Sequence, residues 1–294
     1  MKNKTLAANM LLLLTAAIWG FAFVAQRVGA QYVGAFTFNG VRFALGSISL
    51  IPLIIFFNKK NDNTDDVTNK VDYKNLILPG MIVGTVLFAG SSLQQIGLNY
   101  TTAGKASFIT GLYMVIVPII GIFLKHKIGK NSWIGVIIAV IGLYLLSVNE
   151  SLSISGGDLL EIIGALFWAI HILTIDHFSK KIDALKLSCV QFATCSILSL
   201  VAAIFVENIT IHGISQALIP ILYGGLLSVG VAYTLQVVAQ KNAKPSHAAI
   251  ILSMESVFGA IGGALILGEN LGARGYAGCV LIFAAIIVSQ IKIE

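Results

Sequence analysis

The stretch AAIWGFAF (16–23) has a counterpart, ALFWAIHI, 149 residues further along (165–172), and the match lays Trp19 on Trp168. The same offset sets AFTFNGVRFALGSIS (35–49) over ALKLSCVQFATCSIL (184–198), where Ala35, Val41, Phe43, Ala44, Ser47 and Ile48 recur. Further on the offset falls to 142. There Leu93 and Gln94 meet Leu235 and Gln236, and Ala106, Ile109 and Val115 also find identical partners. An offset of 143 then pairs Leu124, Gly129 and Gly135 with Leu267, Gly272 and Gly278. Weak identity kept in one order along the whole chain marks an internal duplication, with halves at 1–149 and 150–294.

What is duplicated follows from composition. The chain is 57% hydrophobic and 11% charged, against roughly 25% charged residues in soluble domains. Too little polar surface is left to face water on all sides, so a lipid bilayer is the expected surroundings. Stretches of about 20 mostly apolar residues span a bilayer, and ten are read at about 7–28, 36–57, 76–97, 103–124, 132–148, 158–178, 184–206, 215–239, 246–267 and 273–291. The N-terminal run resembles a signal peptide but continues past Trp19 with no small-residue cleavage site, so it is read as the first span. The longest polar break, 58–75, is expected to be a mobile loop.

Five spans per half is an odd number, so the second half must enter the membrane upside down. The expected fold is an all-α integral membrane protein with ten transmembrane helices in two inverted-topology five-helix repeats. That plan recurs in secondary transporters, with the substrate near the midplane between repeats. All Lys and Arg residues except Arg27, Arg42, Lys105 and Arg274 then fall on the side of the termini. By the positive-inside rule both termini are cytoplasmic in a multi-pass cell-membrane protein. The net charge of +6 is thereby read as a topology signal, with no nucleic-acid partner implied.

Other classes find little support. Cys189, Cys195 and Cys279 lie in apolar runs without CxxC spacing, so neither a metal site nor a disulfide frame is indicated. No HExxH or GxSxG pattern points to an enzyme, and no ring of acids or repeated pore motif points to a channel filter. The stretch TTAGKASF near Lys105 glances at a phosphate-binding loop, but Asn99 stands at the first glycine position and Ala106 replaces the hydroxyl residue. No cofactor is expected, and no oligomer signal stands out.

The residues also resemble a known family. AAIWGFAFVAQ in span one, FNGVRF in span two, LQQIGLNYTTAGKASFITGLYMVIVPIIG, and YTLQVVAQKNAKPSHAAIILSMESVFGAIGGALILGENL are similar to the drug/metabolite transporter superfamily, in its ten-helix branch with two EamA domains. The resemblance covers nearly the whole chain. It implies carriage of small solutes such as amino acids, other metabolites, amines or drugs, commonly by export, though some similar proteins import or exchange. One departure stands out: LKHKIG, with Lys125, His126 and Lys127, occupies the first-half position of LGENL, so a role for that acid could fall to Glu269 alone.

Candidate substrate contacts are polar or aromatic residues that fall mid-span. Glu255 lies nine residues past Ser246, hence roughly 14 Å deep at 1.5 Å per residue. An acid there is rare unless it meets a partner or a watered cavity, and it is read as a counter-ion for a substrate amine or as a proton-coupling acid. Its repeat mate is Tyr113. Trp19 and Trp168 fall away from the interfacial belts and suit the walls of a cavity for a cationic group, as well as simple packing. The mates Gln94 and Gln236, with Tyr233 nearby, can orient a polar solute or join helices. His171 stands one turn from Trp168 and shares its face. Arg42 is read as an anion contact, or as a side chain that binds backbone carbonyls or snorkels outward. Ser155 and Asp158 read as a capping pair at a helix start, a structural assignment that Glu161 shares, and Gly80/Gly84 and Gly259/Gly263 as close helix contacts.

Overall fold

The computed structural model describes residues 2–62, 73–126, 128–147, 155–268 and 272–290. Among them every regular element is helical. The expected loop 58–75 is helical at its flanks, where α2 runs on to Asp62 and α3 starts at Tyr73; its middle lies outside the described residues, as do Lys127, Glu269 and the 149/150 boundary.

Five spans follow the expected pattern closely: α1 (Lys2–Gly29), α2 (Ala35–Asp62), α3 (Tyr73–Gly97), α7 (Gly156–Ser179) and α8 (Ala184–Val206). So do α6 (Lys130–Ser147) and α14 (Gly272–Gln290). Among the described residues nine helical stretches are long and apolar enough to cross a membrane, with one shorter apolar helix inside α6. Large apolar side chains cover their outer faces, as at Phe123, Phe205 and Ile219, each at least 80% exposed. A soluble protein would bury such residues; lipid covers them here.

Three spans depart from the single continuous helices expected. Span four divides into α4 (Ala103–Gly111) and α5 (Tyr113–Phe123), and span nine into α12 (Pro245–Leu252) and α13 (Glu255–Leu267). At both breaks the backbone tightens from i−4 to i−3 bonding, as in Leu112 N–H to Ile109 O and Met254 N–H to Ile251 O. Pro118 adds to the first break, because it lacks an N–H for the Met114 carbonyl. Span eight, preceded by the short α9 (Ile211–Gln216), is α10 (Leu218–Leu222), a π-helical stretch Tyr223–Tyr233, and α11 (Thr234–Gln240). Here Gly224 and Gly225 leave space that Arg42 and Leu45 of α2 fill, so the widened backbone packs without Cβ atoms in the way.

The packing follows the inverted repeat. Helix α6 lies on its own mate α14, and α2 on its mate α8. The contact of α3 with α8 is mirrored by that of α2 with the π-helical stretch, and α1 against α13 is mirrored by α7 against α4 and α5. The glycine pair 80/84 admits Val190 and Thr194 of α8, and Gly259 meets Ser107. These are the close approaches expected of small residues.

Candidate functional site

A single cavity at the junction of the halves gathers every substrate-contact candidate. Trp19 (α1), Gln94 (α3), Tyr113 (α5), Trp168 and His171 (α7), Tyr233 and Gln236 (span eight) and Glu255 (α13) all line it. Three repeat-mate pairs are thus brought to one place: Trp19 with Trp168, Gln94 with Gln236, and Tyr113 with Glu255. The two helix breaks place the last pair. Tyr113 and Glu255 are each the first residue of the second half-helix of their span, directly after Leu112 and Met254.

The aromatic wall centres on Tyr233. Its ring centroid lies 4.5 Å from Trp19, 6.1 Å from Trp168 and 6.0 Å from His171, within the 4.5–7 Å range of favourable ring pairs. Phe43 and Phe192 pack behind it at 6.0 Å each. The wall is held by polar links: Trp168 Nε1 donates to Gln94 Oε1 at 3.0 Å, and Gln94 Nε2 donates to Gln26 Oε1 at 3.1 Å. Trp19 Nε1 donates to the Ser228 carbonyl at 3.3 Å. His171 Nε2 pairs with Gln191 Oε1 at 3.0 Å, so the histidine is fixed from behind by the repeat mate of Arg42.

Other polar atoms at the cavity are left unmatched. Glu255 is 3% exposed and the Tyr113 side chain lies within reach of its carboxyl; neither Glu255 Oε1 nor Tyr113 Oη has a further partner. His171 Nδ1 and Gln236 Oε1 are also buried and unpartnered. With the Tyr113–Glu255 pair, these are the polar groups that the cavity offers to a water or a solute.

Arg42 is the residue whose place differs most from the sequence reading. It does not snorkel: it is 1% exposed, lies over the rings of Phe38 and Phe43 at 5.5 and 4.8 Å, and lines the same cavity. Its Nε donates to Asn39 Oδ1 at 3.0 Å, and no acid pairs with it among the described residues. Gln26, Thr110 and Ser228 also line the cavity and were not singled out. Helical spacing carried the signal for two of them. Gln26 is two turns from Trp19, and Thr110 one turn from Tyr113, on shared faces.

The cavity offers about 30 Å³ to the centre of a water molecule. That is room for a water and too little for a metabolite, so the conformation seen here is closed around its polar groups. Asp158 and Lys105 stand apart from it. Ser155 and Asp158 form the expected capping box, and Lys105 Nζ pairs with Asp158 Oδ2 at 2.6 Å.

A membrane-spanning bundle of two inverted halves around a small polar cavity belongs to the transporter class, and the comparisons agree. The model of the EamA-like transporter family matches residues 6–148 and 155–290. An uncharacterized transporter of Archaeoglobus fulgidus is 31% identical over 99% of this chain and 88% of its own length. The uncharacterized transporter YoaV of Bacillus subtilis is 24% identical over 92% of each chain. A solved crystal structure superposes with a TM-score of 0.77 over 96% of both chains at 14% identity, a likeness of fold. The chain belongs to the EamA-like transporter family, within the drug/metabolite transporter superfamily.

Proposed function

We propose that the protein is a secondary active transporter that exports small amine-bearing metabolites, amino acids foremost, by alternating access and with proton coupling through Glu255. The observation that carries this reading is the Glu255 carboxyl: buried mid-membrane, on the cavity, with the Tyr113 hydroxyl beside it and no basic partner among the described residues. An acid in that position favours a cation, and a proton and a substrate ammonium can compete for it. Trp19, Trp168 and Tyr233 supply ring faces for the ammonium. Gln94, Gln236, His171 and Tyr113 supply adaptable polar contacts. Arg42 on the same cavity supports a zwitterion over a simple amine, since its guanidinium matches a carboxylate.

The half-helix breaks and the π-helical stretch are the natural places for the cavity to widen, since each interrupts regular bonding in a span that lines it. The cell membrane, with both termini on the cytoplasmic side, is the setting in which the charge bias makes sense. The test is uptake into liposomes holding the purified protein, with amino acids and their decarboxylated amines offered across imposed pH and voltage gradients. Saturable, gradient-driven flux is expected, greater for the amino acid than for its amine. Unitary currents far above carrier rates would place the protein among channels instead.

A further inference from the structure

A second buried acid lies outside the substrate cavity and is not needed for the reading above. Glu161, one turn beyond Asp158 on α7, is 0% exposed, and its Oε1 has no hydrogen-bond partner. Its Oε2 accepts from Thr110 Oγ1 at 3.1 Å. Room for the carboxyl depends on Gly97 of α3, where a Cβ would come within 2.8 Å of Oε1. Holding the helices together does not call for an acid here. The amide oxygen of a glutamine would accept the same bond from Thr110, and an unpaired buried carboxylate is costly.

Glu161 lines no open space itself, but its neighbours reach two. On one side Thr110 lines the central cavity. On the other, an open vestibule of about 370 Å³, at the end of the bundle away from the termini, is lined by Arg27, Tyr100, Thr101, Thr102, Lys105 and Ser155. Asp158 ties Glu161's end of α7 to that vestibule, accepting from Thr101 at 2.9 Å and from Lys105 at 2.6 Å. The charged groups that act on Glu161 are two acids, Asp158 on its own helix and Glu255 across from it on α13. The nearby cation of α4, Lys105, is engaged by Asp158.

We infer that Glu161 is a proton-relay residue linking the vestibule to Glu255 through Thr110. The Glu161 carboxylate takes up a proton that enters as hydronium from the vestibule past Asp158, returning a neutral water, and forms a carboxylic acid. That acid gives its proton to the Thr110 oxygen as the Thr110 hydroxyl gives its own to cavity water or to the Glu255 carboxylate. Glu161 is then a carboxylate again and Glu255 an acid, and one proton has moved. A hydroxyl both donates and accepts, so Thr110 suits the middle place, and the cavity has space for the bridging water. The inference rests on the transporter reading only in taking Glu255 as the acid that is loaded.

Infrared spectra of carboxyl C=O stretches in oriented proteoliposomes test this without any solute. Two titrating carboxyl bands are expected, one lost in Glu161→Gln and the other in Glu255→Gln. After an acid pulse on the vestibule side, the Glu255 band should rise about tenfold more slowly or worse in Glu161→Gln. Thr110→Val, which keeps both acids, should slow it similarly, and Glu161→Asp should restore part of the rate. An unchanged Glu255 rate in both Glu161→Gln and Thr110→Val, or no band lost in Glu161→Gln, overturns the relay. The expected band behaviour in a protein that moves no solute upholds the relay and counts against the transport reading instead.

Discussion

Spans four and nine are built alike and equipped differently. Both break at equivalent residues, Leu112 and Met254, and both begin their second half-helix with the residue that faces the cavity. In the first half that residue is the phenol Tyr113; in the second it is the carboxyl Glu255. The duplication has kept the backbone device and changed the chemistry mounted on it. In the transport cycle proposed above, a symmetric frame would let the halves exchange shapes, while one acid would give the cavity a single place for a cation.

The sharpest way to break this comparison is to remove each group by its nearest neutral analogue. Glu255→Gln is expected to lower coupled uptake by about a hundredfold or more, since unpairing a buried charge contact costs roughly 2–5 kcal/mol. Folding, read by monodispersity and thermal unfolding in detergent, should be retained. Tyr113→Phe deletes only a hydroxyl, worth about 0.5–1.5 kcal/mol, and should cost a few-fold in the same assay. Equal losses in the two variants would show that the asymmetry lies elsewhere in the cavity.

A smaller effect is expected where another pair of mates differs. Helix α2 is capped from afar: the Glu207 carboxylate accepts from Phe36 N–H and Thr37 N–H, both at 2.8 Å, and from Thr37 Oγ1 at 2.7 Å. Its mate α8 is capped locally, by Asp183 accepting from Leu185 and Lys186. The repeat mate of Asp183 is Gly34, where a Cβ would lie 2.1 Å from the Glu207 carboxyl carbon. One half therefore uses a local cap, and the other leaves the space open for a distant acid. Glu207→Ala should lower stability by about 2 kcal/mol, as charged hydrogen bonds to a helix N-terminus are lost. Asp183→Ala should cost about 1 kcal/mol. Thermal unfolding would check the order, and the reverse order would mean that the long-range cap is incidental.

These cases also show what a sequence can disclose. The spans were legible because apolar runs and loop charges are local properties, and the inversion because an odd number of spans repeats. The cavity mates were legible because an offset carries Trp19 to Trp168 and Tyr113 to Glu255 without any knowledge of packing. The breaks were harder to read, since neither Leu112 nor Met254 is a helix-breaking type; Pro118 marks span four alone, and span nine has no proline between Pro245 and its end. Glu207 met its helix from 171 residues away, beyond any local pattern. Glu161 looked like one more acid near a helix start, because its burial and its contact with Thr110 depend on how α4 lies against α7. Arg42 lost its route to solvent for a similar reason, through the close packing of α2 on the π-helical stretch.

The finest difference lies between the two tryptophans. They are repeat mates with similar access to Tyr233, so a purely aromatic wall predicts equal losses on changing either to phenylalanine. Their ring nitrogens argue otherwise. Trp168 Nε1 donates to Gln94 Oε1, and Gln94 in turn donates to Gln26, so this ring anchors a buried side-chain chain. Trp19 donates a longer bond to the Ser228 carbonyl, a backbone group that the π-helical stretch can satisfy in other ways. Trp168→Phe leaves the Gln94 oxygen unpaired in a buried site, at a cost of about 1–3 kcal/mol. It should therefore raise the apparent KM for solute several-fold more than Trp19→Phe does. Adding Gln94→Leu to Trp168→Phe should recover stability only in part, since Gln26 Oε1 then loses its donor, and should not recover affinity, because the polar contact offered to the substrate is gone. If affinity returned with stability, Gln94 would be a strut for Trp168, and the substrate would rest on the aromatic wall alone.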